Sequence, residues 1–333
     1  SEEGYGANPY IETTKKLVLV NAPGPGSGKL ATCLSQLYHE HKRGINAGYA
    51  KFETFPVWNL PLKHPVNIAY EAATADLKDI NMIDPFHLEK YNINAVNYNR
   101  DVETFPILKN ILHHITGKDI YFSPTDMGVN MVGYCIKNND IVENAAKKEV
   151  VRRYFNELCN YKQGISDFDI VQKIKLLMNE LNIDENFLKV VEVSKKASEK
   201  KKTNVIALEL PKGKIITGKQ TDLLSPASSV IINAIKELSK IPDEINLLSP
   251  TILEPILKLR KNNNTLSLQE VLIALAVCSV TNPSIASALE KLEVLKDCEA
   301  HATYIVTNGD LKALKSLKIN LTCEPNFYSK EIM

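Results

Sequence analysis

The segment Leu17-Val18-Leu19-Val20-Asn21-Ala22-Pro23-Gly24-Pro25-Gly26-Ser27-Gly28-Lys29 constrains this chain more than any other. Its four leading apolar residues read as a buried strand, and the alternating Gly and Pro as a turn. Gly28-Lys29 then opens a helical run, Leu30 to His41. A strand entering a glycine-rich turn and then a helix is how α/β proteins hold phosphate. Free N–H groups at the helix start point at the anion, and the helix dipole favours negative charge there. Glycines let the backbone approach closely, and a lysine adds a point charge.

The match to the nucleotide-binding pattern is incomplete. That pattern wants Gly, four residues, then Gly-Lys-Ser/Thr. Pro23 stands where the first Gly belongs, and Leu30 where the Mg²⁺-binding hydroxyl belongs. Thr32 lies about one turn further along and offers a hydroxyl in altered geometry. The expectation is an anion cradle built from Gly24, Gly26, Ser27, Gly28, Lys29 and Thr32 for a phosphate-bearing small molecule. A nucleotide with Mg²⁺ is one form of that ligand. A tight turn with no ligand is the bland alternative, and it leaves Lys29 without a job.

Ala47 to Phe52 reads as a second strand that completes a βαβ unit, with Glu53 at its carboxyl end, where open α/β sheets place ligands. At 333 residues the chain exceeds one ordinary domain. The divisions expected are an α/β domain over 1–140, a helical module and linker over 141–200, and a C-terminal α/β domain over 201–333. The last contains a hairpin at Asn204 to Gly218, a helix at Ser228 to Ser239, a strand at Ile245 to Leu248 and a strand at Ala302 to Thr307. A helix from Asp310 and a strand at Ile319 to Thr322 complete it.

A net charge of +1 gives no electrostatic footprint for nucleic acid or an anionic membrane. No apolar run approaches a membrane span, and no signal peptide opens the sequence. Six dispersed cysteines suit reduced thiols, so the cytoplasm is the expected compartment and a homo-oligomer is compatible.

Between Thr54 and Asn130 the sequence is dense in Pro, Asn, Asp, His and Tyr. Asn67, Glu71 and Thr74 share one face if 67–78 is a helix, which suits a polar ligand or hydrated Mg²⁺. A wet amphipathic face is the plainer reading. Lys51, His64, Asn67, Glu71, Asn97, Asn99, Asp101 and Asn130 are the candidate substrate ligands. Glu53, Asp76 and Asp126 are candidates for base or metal ligand. Arg100 could clamp a second phosphate, or simply pair with Asp101 or Glu103.

Cys298-Glu299-Ala300-His301, with Cys323 after a later strand, spaces thiolates and an imidazole as a Zn²⁺ site might. Buried structural residues are the alternative. No Gly-x-Ser-x-Gly elbow is present.

Long stretches resemble one bacterial family, domain of unknown function 1846, also called uncharacterised protein family 0371. They are Glu3 to Thr13, Ala22 to Lys29, Ala31 to Glu40, Tyr49 to Pro56, Trp58 to Asn67, Asn97 to Asp101, Ser123 to Asn130 and Cys298 to His301. The similarity spans roughly residues 1–327. It implies an α/β core, a helical insert and an α/β C-terminal domain, but no activity. A peptidase or zinc-protease label carried by some members finds no HExxH motif here. Members usually carry a further α/β portion before the segment matching Glu3, so the resemblance implies a fragment or split gene with part of a site absent.

The leading expectation is therefore a phosphotransferase or hydrolase acting on a phosphorylated small molecule or nucleotide. Lys29 would stabilise charge, a carboxylate would serve as base or Mg²⁺ ligand, and Arg100 would clamp. The alternatives are a zinc-dependent hydrolase centred on Cys298, His301 and Cys323, and a ligand-binding protein without turnover.

Overall fold

Proline starts helices in this chain. Its missing N–H is no loss at the first helical position, and its fixed φ is already helical. Pro65, Pro85, Pro124, Pro226, Pro250 and Pro283 all begin helices. The structure, a computed structural model, describes residues 2–24, 26–52, 56–128, 130–259 and 265–328. The chain is mixed α/β, and it divides into a unit of residues 1–146 and a unit of residues 147–333.

The N-terminal unit contains α1 (Lys29–Lys42), α2 (Pro65–Ala73), β1 (Asn81–Ile83), α3 (Pro85–Tyr91), β2 (Val96–Tyr98), α4 (Asn99–Thr116) and α5 (Pro124–Met127). Leu34 and Leu37 of α1 pack with Phe105 and Leu112 of α4 and with Met127. Strands β1 and β2 pair antiparallel, Asn81 opposite Tyr98 and Ile83 opposite Val96.

The βαβ unit expected over residues 17–52 is not formed. Leu17 and Leu19 are 78% and 80% exposed, and the backbone of residues 17–20 pairs with no described segment. A strand is held by ladder partners and by burial of a face, and this run has neither. Residues 47–52 keep only a single parallel bridge, Lys51 to Gly128. The phosphate-loop-like core is thus absent from the described residues, although helix α1 after the loop stands where expected.

In the C-terminal unit, whose boundary falls inside α6 (Asn139–Lys162), follow α7 (Phe168–Glu180), α8 (Lys189–Lys201), β3 (Val205–Glu209) and β4 (Ile215–Lys219). Then come α9 (Pro226–Leu238), α10 (Pro250–Lys258), α11 (Leu268–Ser279), α12 (Pro283–Glu290), β5 (Glu299–Ala302), α13 (Asn308–Ser316) and β6 (Asn320–Cys323). The sheet order is β4-β3-β5-β6, with β3 antiparallel to both neighbours and β5 parallel to β6.

Val205, Ile206, Ala207 and Leu208 are all buried, as an unbroken apolar run requires of a central strand covered on both faces. Ile206, Leu208, Ala300 and Ala302 pack with Val230, Ile231 and Ala234 of α9 and Leu314 of α13. Each large aliphatic side chain so buried contributes about 1.5–3 kcal/mol. A second cluster joins Ile235, Leu253, Val271, Leu275 and Ile285. The strand expected at Ile245 to Leu248 is instead a turn whose Leu247 and Leu248 plug this cluster.

Candidate functional site

The loop before α1 has the backbone its glycines predict. Gly26 (φ +71°) and Gly28 (φ +83°) occupy the left-handed region, which only glycine enters freely. Gly28 caps α1 and brings no side chain to it. The amides of Lys29, Leu30 and Ala31 therefore have no partner among the described residues, and no acidic side chain stands in the first turn. Lys29 Nζ donates to the Gly24 carbonyl at 2.8 Å and lies 3.4 Å from Ser27 Oγ. Ser27 Oγ also donates to Gly24 O. The lysine thus folds back over its own loop. Thr32 Oγ1 donates to the Gly28 carbonyl at 3.2 Å, so the hydroxyl offered as a stand-in Mg²⁺ ligand is engaged within the helix.

Lys51 lies on the bridge to Gly128, and its Nζ reaches both Asp101 oxygens at 2.7 and 2.6 Å. Asp101 sits in the first turn of α4, where the helix dipole also favours a carboxylate. Arg100 Nη2 meets the buried Asp79 carboxylate at 3.1 Å, not Asp101 or Glu103. Asn99 Oδ1 accepts from the Ile80 amide. Residue 53 lies outside the described residues, so the Glu53 assignment has no structural placement.

The other polar residues expected to meet a ligand hold the backbone instead. Asn67 is fully buried, accepts from Val57 N and donates to the carbonyls of Val57 and Pro61. Glu71 accepts from Asn81 N, and Thr74 bonds back to Tyr70 O. Helix α2 ends at Ala73, so the anticipated face over 67–78 is cut short. His64 caps α2 by accepting from Val66 N, and its other nitrogen meets Asn139 Oδ1 at 3.0 Å. Asn130 donates to Pro56 O, and Asp76 is exposed in the turn Ala75–Leu77.

Asp84, which is not among the candidate ligands, is a hub of this region. Fully buried, it caps α3 through Phe86 N and His87 N and accepts from both the amide and the hydroxyl of Thr125. Asn97 Nδ2 donates to Thr125 Oγ1. Asp126 closes a capping box with Ser123 and accepts from Phe122 N and Tyr91 OH. The pairs Asp84-Pro85 and Ser123-Pro124 were the signal, since a short polar residue before Pro marks a helix start.

Ser123, His87 and Asp126 invite comparison with a nucleophile triad. Ser123 Oγ and Asp126 Oδ1 approach the same ring nitrogen, His87 Nδ1, at 2.9 and 3.6 Å. A triad needs its serine and carboxylate on opposite nitrogens, so the relay is not assembled.

The zinc candidates divide between two faces of one sheet. Cys298, Ala300 and Ala302 belong to the core under α9 and α13, which Cys323 also packs against. His301 projects the other way, its ring 4.7 Å from that of Phe155. Burial raises the Cys298 thiol and pushes Cys323 up to about 11, against the thiolate a metal needs. Among the described residues no group of three His, Cys, Asp or Glu could hold a metal ion. His301 meets Thr322 Oγ1 at 2.8 Å and Glu324 Oε1 at 3.1 Å instead.

Two compact units of mixed α/β structure, one with an exposed glycine loop at a helix start, define the class of protein. The chain belongs to the DUF1846 family: the family described as "Domain of unknown function DUF1846, N-terminal" matches residues 1–182, and its C-terminal counterpart residues 186–333. It is 55% identical to a "UPF0371 protein" of Clostridium botulinum (strain Alaska E43 / Type E3), across 100% of this chain and 69% of that protein. A "UPF0371 protein" of Clostridium tetani (strain Massachusetts / E88) is 53% identical over the same shares. Neither name states an activity. No helix among the described residues is long and apolar enough to cross a membrane.

Proposed function

We propose that this protein binds a phosphorylated small molecule or nucleotide at Gly24–Lys29. The open N-terminus of α1 carries the reading. Among the described residues its first amides lack partners, its first turn lacks acid, and the Lys29 ammonium rests on a carbonyl with no carboxylate paired to it. A Cβ at Gly24, Gly26 or Gly28 would meet nothing within 4 Å, so an anion has room over the loop. A phosphate oxygen would replace the Gly24 carbonyl on Lys29 Nζ while the amides of α1 bind the others. If the bound phosphoryl group reacts, with or without Mg²⁺, Lys29 is placed to stabilise the developing charge, as in a phosphotransferase or hydrolase.

Isothermal titration calorimetry with ATP, AMP and inorganic phosphate tests the assignment. Lys29→Ala should weaken binding at least tenfold, and an unchanged affinity would remove the loop from consideration. A second reading, binding without turnover, is favoured by one observation. Asp126, Arg100 and Asp101 are each engaged in a cap or an ion pair. Phosphate release from bound ATP would establish an enzyme. Thermal stabilisation by the nucleotide with no product would establish a binding protein.

A further inference from the structure

Helix α11 is apolar on both of its faces. The inner face, Leu268, Val271, Ala274 and Leu275, is buried in the C-terminal unit. The outer face carries Ile273, Ala276, Val277 and Val280, and all four are exposed, Ile273 by 59%, Val277 by 67% and Val280 by 84%. Their spacing of three, four and seven residues gathers them into one stripe about 100° wide. A helix that is hydrophobic all round belongs between two layers, and among the described residues one layer covers it. Single aliphatics scattered over a surface are ordinary, whereas a continuous seam marks a contact.

The chemistry of the stripe narrows its occupant. From Val271 to Leu289 the sequence has no Asp, Glu, Lys or Arg and no aromatic residue. Helices that lie on lipid flank their apolar face with Lys or Arg and anchor it with Trp or Phe, and this stretch has neither. A charged partner face would lose its water here with nothing to pair with. A second copy of the chain meets neither objection, since neutral then faces neutral. The seam is also palindromic. Ile273 and Val280 lie equally far from the midpoint between Ala276 and Val277. An antiparallel copy centred there sets Ile273 against Val280 of the partner subunit at both ends. It brings the two copies of Val277 together at the axis, where the small Ala276 lets the backbones approach. Gln269 continues the stripe at one end and Thr281, Asn282 and Ser284 follow it at the other, all exposed and uncharged, as the polar rim of an interface requires.

We propose that the outer face of α11 is a self-association surface, on which two copies of this chain pair antiparallel about a twofold axis between Ala276 and Val277. Closed twofold dimers are the commonest assemblies, and a palindromic seam is what such an axis needs. Three large aliphatic side chains from each copy put the contact at the small end of specific interfaces, under about 1,200 Å² in total. The dimer therefore forms and separates with concentration. The surface is separate from Gly24–Lys29 and stands whether or not that loop binds anything.

Sedimentation equilibrium of the full chain over about 1–300 µM, where small interfaces exchange, reads the mass directly. The parent should rise from the monomer mass toward twice that value and level off there. Val277→Glu and Val277→Lys should each weaken association at least tenfold, because like charges then meet at the axis. Both variants keep the fold, since Val277 is mostly exposed and Glu and Lys suit a helix, and an unchanged melting temperature in dilute solution checks this. An equimolar mixture of the two should recover the dimer, because opposite charges then meet at the same point. A parent that stays monomeric throughout would overturn the proposal and leave the face to a different partner. Val277→Glu associating as the parent does would place the contact elsewhere on the molecule. A mixture no tighter than either variant alone would overturn the twofold pairing at Val277.

Discussion

His301 is fully buried, yet both of its ring nitrogens are engaged. Glu324 carries no proton to give, so Nε2–H donates to it, while Nδ1 lies 2.8 Å from the Thr322 hydroxyl, which itself donates to the Ala300 carbonyl at 3.1 Å. Burial lowers the His301 pKa below 6.5, against the opposing pull of Glu324. Glu324 is itself held below its ordinary value. Burial would raise it, but hydrogen bonds from His301 and Lys195 outweigh that. The unfolded chain therefore binds more protons than the folded one on the acid side. Stability tied to His301 is complete above about pH 6.5 and is lost as pH falls below it. Glu324 adds a further loss below about 4.5. The urea midpoint should fall between pH 7.5 and 5.5, and His301→Gln should flatten that interval. An equal slope in the variant would place the titrating group elsewhere.

At the scale of elements, β4 and α9 touch backbone to backbone at Gly218. A Cβ there would lie 2.1 Å from Val230 N and 2.7 Å from Pro226 O, atoms that no rotamer can move. Gly218→Ala should force the helix off the sheet and cost about 1–3 kcal/mol or more. A melting temperature within a degree of the parent would contradict the close packing.

The hairpin around this contact was legible in the sequence. The turn at Pro211 to Gly213 fixes its register, and Val205 to Glu209 pairs with Ile215 to Lys219 within a residue or two of expectation. Leu17 to Val20 failed for the opposite reason: an apolar run carries no information about its ladder partner. The density of proline between 54 and 130 marks helix starts, since Pro65, Pro85 and Pro124 each open one. In sequence the polar residues beside them are as compatible with a ligand as with a helix start, because a cap and a ligand use the same side chains. The glycine loop was readable because positive φ leaves a mark on sequence.

For the whole molecule, the compact division at 146/147 does not coincide with the family segments, which meet between 182 and 186. Phe155 of α6 lies against His301, and Arg152 pairs with Glu299 at 2.7 Å, so α6 covers a face of the C-terminal sheet. A fragment of residues 139–333 should unfold cooperatively. One of residues 186–333 lacks that cover and should melt lower or aggregate. Equal melting of the two fragments would show that α6 and α7 are dispensable to the unit.

Leu17 to Val20 has one more consequence, for the behaviour of concentrated solutions. Aliphatic side chains exposed beside peptide groups that pair with no described segment are a template on which another extended strand can grow. The protein should show attractive pair interactions in static light scattering that strengthen with salt. Leu19→Glu should reverse their sign while leaving the melting temperature in place, because that side chain is packed against nothing that folding has to keep.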